Sequence, residues 1–214
     1  MVESSTLNDP LNLRANEKHF GTQLMTYWNN RERYPVLKQA ENGNLLIRQI
    51  EEPGNLVTML VEYNNIPGLT PDDFLPFMNQ WDVFTRKFNP YCIGFDSIEA
   101  GDYKSYKITS RAPWPVAGRL MFATVYPMPN YAKDEHIMIV TDKGLEAVFD
   151  KYLTVDDRKN LVVARFHFGG WWFTPVKDTN GKITGTCIFG AFCSDVGGSV
   201  PKWLQKAAAP AAAI

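Results

Sequence analysis

From residue 91 to residue 194 the chain runs as short β-prone segments cut by turn residues, and this succession constrains the fold more than any other feature. The segments 91–99, 103–110, 118–126, 135–141, 161–173 and 183–194 are predicted strands, joined by turns such as Ala100-Gly101-Asp102 and Thr179-Asn180-Gly181. Together they make a long antiparallel sheet. At Gly197-Gly198 the last strand stops, and Ser199 as N-cap with Pro201 in the first turn starts a helix from about residue 199. Val200, Trp203, Leu204, Ala207 and Ala208 share one face of that helix, with Lys202, Gln205 and Lys206 off it. That face must cover something apolar, either an ordinary core or an open cavity.

The earlier chain supplies helices and a hairpin. Leu13, Phe20, Leu24, Tyr27 and Trp28 recur at helical spacing over residues 12–28, and Tyr34-Pro35 breaks the pattern. Residues 45–50 and 56–63 read as two strands around Glu51-Glu52-Pro53-Gly54-Asn55. Thr70-Pro71-Asp72-Asp73 is a strong helix start, and two short helices follow it through Phe74, Phe77 and Trp81 to Phe84 and Phe88. The 141–160 connection carries a helix-like spacing in Leu145, Val148, Phe149 and Tyr152, and its length makes it a candidate moving element. The order of helix, two strands, two helices, six strands and one helix is an α+β architecture, with a curved sheet wrapped around the final helix. At 214 residues and 45% hydrophobic content, residues 1–214 are expected to form one domain.

Twenty-two basic and 23 acidic residues are mixed along the chain, so nothing advertises a nucleic-acid partner. Cys92, Cys187 and Cys193 are odd in number and lack metal-ligand spacing, which fits free thiols in a reducing compartment. The start has no signal-peptide pattern and no 18-residue apolar run occurs, so a soluble cytoplasmic protein is expected. His19, His136 and His167 are scattered, with no HExxH or Gly-x-Ser-x-Gly motif beside them. Asp72-Asp73 explains itself as helix N-terminal charge, and Asp156-Asp157 reads as part of a polar loop. The expectation is no catalytic residue, no metal and no cofactor.

The element order and several local patterns together resemble the START domain, the StAR-related lipid-transfer or helix-grip fold. The resemblance runs through Trp81-Asp82, Asp96-Ser97-Ile98-Glu99, Trp114-Pro115-Val116-Ala117-Gly118-Arg119, Val163-Ala164-Arg165 to Thr174-Pro175, and Asp195 to Leu204. It implies a hydrophobic tunnel between the curved sheet and the C-terminal helix that holds one lipid, with that helix and a loop as the gate. It implies a monomer peripheral to membranes that touches them transiently while carrying lipid. In the steroidogenic and phosphatidylcholine-transfer subgroups the strand after the Gly-Arg signature carries an inward arginine, and in the steroidogenic group the facing strand carries an acid. Counted from Arg119, those positions are Val125 and Tyr106 here. The departure disfavours phosphate recognition by an arginine fork, so a sterol or similar weakly polar lipid is expected over a phospholipid. Pro210 ends the terminal helix near 206–209, shorter than in the family, which leaves a truncated chain or a weak lid as readings.

The tunnel candidates are Tyr106, Ile108, Val125, Ala164, Phe166, Phe168, Trp203, Leu204 and Ala207, with Arg119, Glu99 and His136 as polar or structural neighbours. Alternation places Ala164, Phe166 and Phe168 on one strand face and Arg165 and His167 on the other, toward water. Tyr106 either donates to a backbone carbonyl or hydrogen-bonds a ligand. Arg119 fixes its turn or pairs with a nearby carboxylate, or serves the tunnel, and Trp171-Trp172 is core plus surface, or one of the two rests at a membrane interface. A lipid-sensing domain of a longer protein and phosphatidylcholine-like transfer are the alternatives to a sterol carrier. A helix-grip enzyme using His136 and Tyr106 is the weakest reading.

Overall fold

Ten strands organise the residues described in this computed structural model, which are 13–51, 56–100, 103–112 and 116–198. They are β1 Val36–Gln39, β2 Leu45–Glu51, β3 Leu56–Pro67, β4 Cys92–Ile98, β5 Lys104–Ser110, β6 Gly118–Ala132, β7 Glu135–Thr141, β8 Leu161–Val163, β9 Arg165–Lys177 and β10 Ile183–Asp195. The helices are α1 Leu13–Asn30, α2 Leu75–Asn79, α3 Trp81–Phe88, α4 Glu146–Tyr152 and α5 Val155–Asn160. The strands form one sheet in the order β1-β2-β3-β10-β9-β7-β6-β5-β4, antiparallel throughout, while β8 pairs with β6 in parallel. Pairing of β3 with β10 joins the first hairpin to the last strand, so neither of these long strands is an edge.

Period-two alternation sends side chains to two faces, and each gathers its own apolar cluster. On the α1 face Phe20 and Leu24 pack with Leu60, Phe122, Ile137 and Phe189. Trp28 meets Phe189 edge-on at 5.2 Å. Burial of about 1.5–3 kcal/mol per large apolar side chain, more than helix propensity, holds α1 in place. On the opposite face, called the α3 face below, Met78 of α2 packs with Phe95, Tyr106, Ile108, Val125, Met138 and Phe173. The start at Thr70 positions that cover. Asp73 accepts from the Thr70 amide at 2.7 Å and its hydroxyl at 2.8 Å, and these bonds hold its pKa down.

Several expectations need correction. Residues 36–39 form an edge strand that was not expected, because all four are exposed and show no alternating burial. The 141–160 connection has the helix its apolar spacing predicts, and a second helix follows it. It folds as α4 and α5 on the α1 face, where Leu145 is fully buried and Phe149 stacks on Phe122 at 4.5 Å. Asp156-Asp157 opens α5, with Asp157 capping Thr154 and paired to Lys107 at 2.6 Å. Arg165 does not simply face water. It bonds the buried Asp142 at 2.5 Å and Glu146 at 2.8 Å.

The predicted strand 161–173 is interrupted at Ala164 and carries a bulge. Cys193 faces Phe168 and Asp195 faces Arg165, so Ser194 alone stands against Phe166 and His167. The extra residue inverts the alternation. Phe166 therefore packs on the α3 face, whereas Phe168 stacks on Phe20 at 6.0 Å and Tyr27 at 6.3 Å on the α1 face.

Candidate functional site

Strand register brings three of the sequence candidates together. Tyr106 faces Ala123, Lys104 faces Val125 and Ile108 faces Met121, and Val125 in turn faces Val140. Tyr106, Ile108 and Val125 are all buried in the α3-face cluster. Beside them lies a cleft of about 190 Å³ whose lining includes Met78, Trp81, Tyr103, Lys104, Tyr106 and Val125. Small-molecule sites run to about 300–1,000 Å³, so this cleft alone accommodates one end of a lipid.

The Tyr106 ring packs edge-on against Phe95 at 4.7 Å, and its hydroxyl lies 3.5 Å from Asp82 Oδ1, the outer limit of a hydrogen bond. Burial, and secondly the Asp82 charge, push the Tyr106 pKa up to about 12. An acid whose pKa is higher folded than unfolded keeps its proton longer in the native state, so stability falls as pH rises from about 10 toward 12. Absorbance titration of phenolate is expected to show a late-ionising tyrosine that Tyr106→Phe removes. An unchanged late phase contradicts the assignment. Lys104 Nζ donates to the Asn79 carbonyl at 2.7 Å across the cleft.

Away from the cleft the α3 face continues as an aromatic floor. Gly169 and Gly190 have no side chain where a Cβ would come within 2.4 Å of Phe166 and 2.5 Å of Trp171, respectively. Phe192 lies against both glycines and meets Trp171 edge-on at 4.7 Å. Phe166, Trp171 and Phe192 are only half-buried. Trp171, Phe192 and the two glycines were not among the sequence candidates. The signal was available in the alternation Ile188, Gly190, Phe192 along β10.

The other polar candidates have structural partners. His136 is fully buried, its Nδ1 accepts from the Asn130 amide at 2.9 Å, and its Nε2 therefore donates to Asp72 Oδ1 at 2.8 Å. This ties the turn at 71–74 to β7 and leaves no ring nitrogen over for Tyr106. Glu99 is exposed, and its backbone exchanges hydrogen bonds with the Tyr152 hydroxyl. Ala164 is buried in the break before β9 and donates its N–H to the Leu120 carbonyl. Among the described residues no group of three His, Cys, Asp or Glu is placed to hold a metal. Nor is any described helix long and apolar enough to cross a membrane.

Arg119 is a fastening at the rim. Its Nε donates to the Val196 carbonyl at 2.6 Å, Nη2 to that of Gly197 at 3.3 Å, and Nη1 to that of Ala117. Burial lowers its pKa. Gly197 and Gly198 both have positive φ, and a Cβ on Gly197 would lie 2.6 Å from the Val163 carbonyl. The backbone leaving β10 thus turns across β8 toward β6. Gly197→Ala is expected to cost roughly 1–2 kcal/mol from the left-handed conformation alone, read as a lower midpoint in urea. An unchanged midpoint contradicts it. Trp203, Leu204 and Ala207 lie outside the described residues.

No protein-family model matches the chain, and no curated protein matches it in sequence. Solved structures do match in shape. Human STARD10 aligns with TM-score 0.56 at 16% identity over 82% of this chain and 66% of its own. A STAR-related lipid transfer protein from Xanthomonas axonopodis gives 0.56 at 19%, over 82% and 89%. The lipid transfer and protein localization domain of human StarD13 (DLC2) gives 0.60 at 12%, over 89% and 92%. With the single antiparallel sheet, the helices packed on it and these likenesses in agreement, the chain has the helix-grip fold of the START domains.

Proposed function

We propose that the α3 face binds one lipid and that the protein carries it between membranes without changing it chemically. The observation that carries the reading is the half-buried aromatic floor of Phe166, Trp171 and Phe192, continuous through Met138 and Val140 with the Tyr106 cleft. Two of the matched structures are named for lipid transfer. Arg119 holds the chain leaving β10 through the Val196 and Gly197 carbonyls. Lipid tails exchange one apolar environment for another on leaving a bilayer, so polar groups at the cleft choose the cargo.

Val125 supplies no charge and the Tyr106 hydroxyl gives one hydrogen bond, worth about 0.5–1.5 kcal/mol net. This favours a sterol or similar hydroxyl-bearing lipid. A phospholipid is the second reading, favoured by the Lys104 ammonium at the cleft. Titration with a fluorescent sterol, with phosphatidylcholine as competitor, separates the two. Saturation at one sterol per chain with weak competition supports the first, and displacement by phosphatidylcholine at equal concentration supports the second. Slow sterol exchange between vesicles despite tight binding points to a sensor, not a carrier. Turnover of the bound lipid overturns the non-enzymatic reading.

A further inference from the structure

Between α3 and β4 the chain makes one tight turn, in which the Cys92 amide donates to the Asn89 carbonyl at 3.1 Å and the Tyr91 amide to the Asn89 side chain at 3.0 Å. This fixed turn presents apolar side chains outward. Phe88 is 57% exposed, Tyr91 36% and Ile93 61%, and Pro90 between them is exposed too. Ile93 is pushed out by a bulge, because Cys92 pairs with Ser110 and Gly94 with Thr109, leaving it without a partner on β5. Single exposed apolar residues are ordinary, but four in the six residues that lead from α3 into the edge strand β4 form a patch that calls for a partner.

The surroundings of the patch identify that partner. Arg86 and Lys87 fill the last turn of α3; Arg86 turns its guanidinium back onto the Phe95 carbonyl and ring, and Lys87 is exposed. Arg111, also exposed, donates its amide to the Tyr91 carbonyl at 2.9 Å. The neighbouring acids lie to either side, Asp82 at the far end of α3 and Asp96 farther along β4. An apolar tip flanked by the exposed Lys87 and Arg111 complements a bilayer with anionic headgroups. The register Cys92, Ser110, Arg119, Val162 puts the patch at the sheet end where Arg119 holds the chain leaving β10.

We propose that the Phe88–Ile93 turn is a membrane-docking surface, with its apolar side chains in the interface of an anionic bilayer and Lys87 and Arg111 on the headgroups. The proposal rests on the lipid-carrier reading for its purpose, and its geometry is independent of which lipid is carried.

Flotation of the full chain with vesicles of phosphatidylcholine, alone or mixed with phosphatidylserine, tests it. Binding is expected to be stronger with phosphatidylserine and weaker in high salt. Removing one charge, as in Lys87→Gln or Arg111→Gln, is expected to weaken it about fivefold. Ile93→Ser together with Tyr91→Ser is expected to weaken it about tenfold or more. Ile93→Ser alone, at the most exposed of the three sites, guards against misfolding, and unchanged thermal melting confirms the fold. Wild-type binding by these variants overturns the proposal, as does their conversion of a dimer to a monomer in sedimentation, which would make a second copy the occupant. Fluorescent-sterol binding without vesicles is measured on the same proteins and is expected to be unchanged. Absence of sterol binding with the vesicle pattern intact would defeat the sterol-carrier reading and leave the docking surface standing.

Discussion

Glu62→Gln is expected to lower the unfolding free energy by about 3 kcal/mol or more, a drop in Tm of roughly 6–12 °C. Glu62 is only 3% exposed, and its carboxylate accepts from Arg48 at 2.8 Å and from Arg31 at 3.1 Å. Arg48 is itself buried, while its other carboxylate partner, Glu32, is exposed. Taking the charge from Glu62 leaves a buried guanidinium without its inner partner, and that loss, more than the worth of the pair, sets the size of the effect. Arg31 also lies 3.7 Å over the Trp28 ring, so the network fastens the end of α1 to β2 and β3. Replacing both buried partners, as in Arg48→Met with Glu62→Leu, is expected to restore much of the stability. Denaturant melts of the three proteins check this, and a loss below about 1 kcal/mol for Glu62→Gln contradicts it.

Val125→Arg is expected to abolish binding of an uncharged lipid and to cost about 3–5 kcal/mol of stability. Val125 is 3% exposed, beside Tyr106 in the cleft and opposite Lys104 on β5, so the new cation meets one already present. Val125→Met adds volume without charge and is expected to keep the fold while weakening sterol binding. Calorimetric melting and sterol titration on both proteins separate the two effects. Unchanged sterol affinity in a folded Val125→Arg protein would show that residue 125 does not meet the ligand.

Much of the fold was legible because local rules and tertiary packing agree. The run Ile137-Met138-Ile139-Val140 is apolar on both faces and is buried on both, so 135–141 was read with its boundaries correct. Thr70 and Asp73 announced a helix start that the capping bonds confirm. What escaped depends on partners distant in sequence. The bulge at Phe166 and His167 is set by pairing with β10, and no local pattern reveals the inserted residue that carries Phe168 to the opposite face. Asp142 and Glu62 are charged positions buried only because Arg165, Arg31 and Arg48 reach them. Tyr106 and Val125 were found through the resemblance. Trp171 was read only as core or membrane interface, and Phe192 was passed over, because the glycines that make room for them carry no side chain to count.

The central claim is that the α3 face holds a lipid. Native mass spectrometry of the purified full chain, followed by organic extraction and identification of whatever it releases, tests that claim most directly. A single sterol-like or other weakly polar lipid per chain, released on unfolding, is the expected result. A chain of bare mass that also takes up no lipid from vesicles would contradict it.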